Sequence, residues 1–102
     1  MDELVLLSKA MGDLNRLKIV ALIQREKELC VCEICDTLEL SQPLVSRHLK
    51  QLKSAQVLDS HKEGKWMMYR IFASPSEVLA AYLRSLEKEA ETLGSVCSCS
   101  MR

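Results

Sequence analysis

Residues 41 to 50 read SQPLVSRHLK, and the fold turns on how that stretch is read. Ser41 carries a side-chain oxygen suited to capping a helix, and Pro43 is tolerated in a first turn whose N–H groups have no helical partner. Val45, Leu49 and Leu52 then recur at i, i+4 and i+7, which predicts a helix to about Ala55 with those three on its core face. Stepping about 100° per residue from Val45 puts Ser46 near 100°, Lys50 near 140°, Pro43 near 160° and Arg47 near 200°. That outer face is short, polar and positive. His48 falls near 300°, at the edge of the core, where a packed histidine and a groove contact are equally reasonable.

Working outward, Glu39-Leu40-Ser41 reads as a tight turn, and a shorter helix precedes it at about Cys32 to Leu38. Two short helices joined by a three- or four-residue turn, the second basic outside, describe a helix-turn-helix. From Val57 to Phe72 two extended runs flank Glu63-Gly64, which predicts a β-hairpin, and Lys62 and Lys65 near its tip describe a wing. On the N-terminal side, Leu4, Leu7 and Met11 recur at helical spacing, Gly12 breaks the pattern, and Asp13 can cap a second helix from Leu14 to about Glu26. Ser74-Pro75-Ser76 starts a last helix to about Leu93, with Val78, Tyr82 and Leu86 in register and Gly94 as its stop. The expected class is mainly α with a β-hairpin, a winged helix-turn-helix of order α-α-α-α-β-β-α spanning 1–94. Residues 95–102 form a polar tail without periodicity, expected to be mobile.

At 102 residues, 48% apolar and 27% charged, the chain suits one small domain. No run approaches a membrane span and the start lacks a secretory signal, so the expected location is the cytoplasm. Net charge is zero, but it is unevenly placed. Glu26, Glu28, Glu33, Asp36 and Glu39 outweigh Lys27 in one segment; Arg47, Lys50, Lys53, Lys62, Lys65 and Arg70 outweigh Asp59 and Glu63 in the next. A local basic stretch is what phosphate contacts need, whatever the total. Ser41, Gln42, Ser46, Arg47 and His48 are the candidates for base edges or phosphates in a major groove; Lys50, Lys62 and Lys65 suit phosphates.

Residues 28 to 35, ELCVCEIC, hold three of the five cysteines. In a reducing compartment such spacings point to metal binding or redox chemistry before structural disulfides. Soft sulfurs without a histidine or carboxylate pattern argue against magnesium, calcium and manganese, and zinc usually wants four ligands in a structural site. Three sulfurs in one short segment suit a three-coordinate pyramidal centre such as trivalent arsenic or antimony. Thiol-disulfide exchange at Cys32 and Cys35 lacks its setting, since no strand is expected before residue 32. With no catalytic serine, histidine and carboxylate set either, the chain reads as a non-enzyme. A thiol buffer that only sequesters metal would need neither SQPLVSRHLK nor a wing.

Taken together, MGDLNRLKIVALI, ELCVCEICDTLELSQPLVSRHLKQLK and HKEGKWMMYRI resemble the bacterial ArsR family of metal- and metalloid-responsive repressors, over roughly residues 8 to 93. The resemblance implies a winged-helix homodimer on palindromic double-stranded operator DNA that leaves when an inducer binds. It implies dimerisation through the first and last helices, here Leu4, Leu7 and Met11 with Val78, Tyr82 and Leu86. It also implies that Cys30, Cys32 and Cys35 bind As(III) or Sb(III), with Cd(II) as a further inducer and no cofactor for DNA binding. The alternative within the family is a cadmium-, lead-, zinc- or redox-responsive repressor using the same sulfurs. Cys97 and Cys99 lie beyond the matched pattern and are accessory candidates. On an ideal helix Cys32 and Cys35 are about 60° apart while Cys30 is about 140° or more from either, so joint binding is expected to unwind or bend the start of the third helix. The acidic neighbours are expected to keep the free thiols protonated.

Overall fold

The computed structural model describes residues 1–96; the expected tail and its Cys97 and Cys99 lie largely or wholly outside them. Helix α1 spans Asp2–Ala10 and α2 Leu14–Glu26. Strand β1, Glu28–Cys30, leads directly into α3, Val31–Leu38. Helix α4, Gln42–Ser54, is followed by β2, Leu58–Glu63, and β3, Trp66–Ile71. Helix α5, Glu77–Glu89, ends in a 3-10 turn at Ala90–Thr92.

Local chemistry sets most of these boundaries. The Asp13 carboxylate accepts the Arg16 N–H at 3.1 Å, and the Ser41 and Ser76 hydroxyls accept the N–H groups of Leu44 and Leu79, so three helices begin on capping side chains. Glu39 ends α3 in the left-handed conformation at φ 56°, and the Leu40 N–H returns to the Cys35 carbonyl at 3.2 Å. This makes the turn of the helix-turn-helix. Gly64 opens the two-residue hairpin loop at φ 63°, a backbone conformation that a side chain would strain.

The sheet order is β1-β3-β2, antiparallel throughout. The strand before Val31 was not expected from the sequence, because three residues are too few to show alternation. It corrects the grounds for setting aside a thioredoxin-like site, while the antiparallel pairing still provides no βαβ unit. Helix α2 runs through the centre, with Ile19 to Ile23 buried consecutively. Val45, Leu49 and Leu52 present the inner face of α4 to the core and are fully buried. Helix α5 stops before Leu93. The Arg25 guanidinium donates to the carbonyls of Ala90, Leu93 and Gly94 at 2.8, 3.1 and 2.6 Å, closing that end from across the fold. Val96, beyond the expected domain boundary, also packs against the core.

Candidate functional site

The outer face of α4 carries Gln42, Ser46, Arg47 and Lys50, all exposed, with Ser41 exposed at its cap. Lys62 and Lys65 are exposed on the hairpin, which is held to α4 where Lys53 Nζ donates to Ser60 Oγ at 2.7 Å. His48 departs from that face. It is buried, and its Nδ1 accepts from Arg16 Nη1 at 3.2 Å. Of its two readings, the geometry is that of the packed histidine.

Arg16 is a residue that periodicity did not single out. Its Nε donates to the Ala10 carbonyl at 2.7 Å, Nη2 to the Lys9 carbonyl at 3.0 Å, and Nη1 to Gln51 Oε1 at 2.7 Å as well as to His48. One guanidinium therefore ties the end of α1 to the outward-facing helix. A lone arginine on a helix gives no sequence signal for such a role.

The apolar residues proposed for an interface divide into two groups. Leu7, Met11 and Leu86 are buried within the chain and belong to its core. Leu4 and Val78 remain exposed, joined by Val5, Leu6 and Leu14, while Tyr82 is half-buried. The spare apolar surface is thus real, but is borne partly by different side chains from those the family resemblance implied.

The three cysteines line a single cleft of about 470 Å³, together with Asp36, Gln42 from the start of α4, and Trp66 and Met67 from β3. Cys30 is the last residue of β1 and the N-cap of α3, with extended backbone at φ −92° and ψ 167°. It is not on the helix. The expectation that α3 must unwind for the three to converge therefore loses its premise, since a wheel describes only residues inside the helix. Even so, the three sulfurs do not all lie within 4.8 Å of one another; among the described residues the trio that meets this measure is Glu28, His61 and Glu63. Three sulfurs on one ion at bonds of about 2.3 Å stand no more than about 4 Å apart. The junction must close to bind.

That junction is held by a capping box. Glu33 is buried, its Oε1 accepts the Cys30 N–H at 3.1 Å, and the Cys30 sulfur faces the Glu33 N–H in return. Pulling the Cys30 sulfur toward an ion would release a donor in the first turn of α3, and α3 packs against α4. Burial is the main cause that raises the Cys30 thiol above the ordinary 9.0, with the Glu33 carboxylate adding to it. Burial likewise leads for Cys35, with Asp36 and Cys30 adding to it. The acidic neighbours act in the expected direction but are secondary to desolvation.

A sequence profile described as "Bacterial regulatory protein, arsR family" matches residues 13–60. A solved structure titled reduced HlyU from Vibrio cholerae is 31% identical and superposes with a TM-score of 0.73, over 86% of this chain and 88% of that one. The chain belongs to the ArsR family. Among curated relatives, an arsenic resistance transcriptional regulator of Pseudomonas putida, ArsR1, is 42% identical over 78 residues, covering 76% of this chain and 61% of the relative. A cadmium resistance transcriptional regulatory protein of Listeria innocua, CadC, is 48% identical over 63 residues, 62% of this chain and 53% of the relative. The chain thus spans less than two thirds of the length of either curated relative. These relatives are named as regulators, not enzymes. No helix among the described residues is long and apolar enough to cross a membrane.

Proposed function

We propose that this ArsR-family chain is a cytoplasmic metalloid-responsive repressor: a homodimer that binds operator DNA through α4 and the β2–β3 wing and is released when trivalent arsenic or antimony binds Cys30, Cys32 and Cys35. The observation that carries the reading is the shared cleft, which the three cysteines line together with Gln42 of the outward helix and Trp66 and Met67 of the wing. Arsenite exchanges three hydroxyl groups for three thiols and releases three waters. Burial raises the Cys30 and Cys35 thiols above their ordinary value, so their protons leave with the displaced hydroxyls as water rather than through a free thiolate. Closing the sulfurs disturbs the Cys30–Glu33 cap at the base of α3, and the arrangement of α4 and wing that fits two adjacent grooves is no longer favoured. The dimer reading rests on the exposed Leu4, Val5, Leu6 and Val78.

One observation favours a second reading. Cys32 Sγ lies 3.9 Å from Asp36 Oδ2, so a carboxylate stands ready as a fourth ligand. That donor set would suit four-coordinate Cd(II) or Zn(II).

The test titrates the protein–operator complex with arsenite, antimonite, cadmium and zinc, and repeats it with serine at each cysteine. Release by arsenite or antimonite in the parent, lost in each serine variant with operator affinity retained, is the expected result. Release that survives all three substitutions overturns the assignment. Asp36→Asn separates the readings: it leaves arsenite release intact and impairs release by cadmium only if the four-ligand site operates.

A further inference from the structure

The face of the sheet beside the cysteine cleft carries a second convergence. Glu28 on β1 lies opposite Arg70 of β3, while on β2 His61 lies opposite Met68 and Glu63 opposite Trp66. Residues two apart on a strand share a face, so Glu28, His61 and Glu63 point to the same side from the two outer strands. Their ligand atoms all lie within 4.8 Å of one another. His61 Nε2 is 3.6 Å from Glu28 Oε2 and 3.9 Å from Glu63 Oε2. Those gaps exceed hydrogen-bond length. A tetrahedral zinc ion with bonds of about 2.0–2.1 Å separates its ligands by about 3.3 Å, so the imidazole and each carboxylate need to close by about half an ångström, and the two carboxylates, within 4.8 Å of each other, by no more than about 1.5 Å.

We infer that Glu28, His61 and Glu63 form a divalent-metal site at the base of the wing, distinct from the three sulfurs. One imidazole and two carboxylates suit zinc, or nickel and cobalt, over magnesium or calcium. All three side chains reach solvent, at 33% exposure for His61, 39% for Glu28 and 64% for Glu63, so an ion can enter and water can complete its shell. Metal on Nε2 leaves the imidazole proton on Nδ1, which is buried without a hydrogen-bond partner. Lacking that outer support, and with Lys65 lining the adjoining cleft, the site binds more weakly than a structural zinc centre. Its consequence is mechanical. A bound ion links β1, which ends at Cys30, to β2, which carries Lys62 toward the wing tip.

The chain has two histidines, so long-range nitrogen–proton NMR of the imidazoles reads the site directly. The experiment titrates zinc into protein in which all five cysteines are serine, removing competition from the thiols, and then into the reduced parent. The expected result is a saturable shift of the His61 Nε2 signal with His48 unmoved, and an affinity about 10–100-fold lower in Glu63→Gln and in Glu28→Gln. Immobile His61 signals at millimolar zinc overturn the site, and so does a zinc affinity that neither glutamine substitution lowers. Arsenite release is read separately, so failure here is distinguishable from failure of the inducer assignment.

Discussion

Replacing Arg16 with methionine keeps a long side chain in place and removes every donor of the guanidinium. Four hydrogen bonds go with it, those to Ala10, Lys9, His48 and Gln51. The bonds to Lys9 and Gln51 are exposed, and water replaces them at little cost. The two partly buried bonds, to the Ala10 carbonyl and to His48, have a charged donor and are worth about 1.5 kcal/mol each at the lower end of their range. The expected loss of stability is therefore about 3 kcal/mol, a fall in Tm of more than about 10 °C for a domain of this size, measured at one fixed protein concentration because dimerisation contributes. About half of that loss concerns the seat of His48, hence the placement of α4, and 1.4 kcal/mol is tenfold in affinity, so operator binding should weaken by roughly tenfold. Fluorescence anisotropy with labelled operator measures it, repeated over a range of salt concentrations. A positioning residue leaves the salt slope unchanged, whereas a lost phosphate contact lowers the slope by about 1. Unaltered Tm with full operator affinity in Arg16→Met would refute the reasoning, and a reduced slope would place Arg16 on the DNA.

Arg47→Ala should weaken operator binding and lower the salt slope by about 1 while leaving arsenite affinity unchanged; equal damage to both would move the DNA face elsewhere. The Asp13 carboxyl is held below the usual 3.8, chiefly by the Arg16 backbone N–H. Asp13→Ala should cost about 1 kcal/mol at neutral pH. Because the folded value is the lower one, that difference should fade as pH drops through it and vanish in stronger acid, as denaturation at a series of pH values will show. With the Cys30 and Cys35 thiols raised above 9.0, iodoacetamide should alkylate both more slowly than free cysteine at pH 7, the rate climbing with pH past that value; fast labelling at neutral pH contradicts the burial. Ser60→Ala removes the acceptor for Lys53 while keeping the charge. Operator affinity should fall less than tenfold, with inducer affinity and Tm nearly unchanged.

The elements that declare themselves in the sequence are those whose cause is local. Asp13, Ser41 and Ser76 announce helix starts because a capping oxygen acts on N–H groups two or three residues away, and Val45, Leu49 and Leu52 announce a face because 3.6-residue periodicity is a property of one helix. ELCVCEIC announces soft-ion chemistry because donor type is fixed by residue type. What depends on distant partners stayed hidden. Strand β1 exists because β3, some forty residues on, supplies its hydrogen bonds, and that strand takes Cys30 off the helix on which its angle had been drawn. The same long-range packing buries His48 against Arg16, withdraws Leu7, Met11 and Leu86 into the core, and sets His61 between two carboxylates brought from opposite edges of the sheet. Sequence spacing determines which side chains one element can present. Only the packing of elements decides what meets what, because burial and distance are properties of pairs separated along the chain.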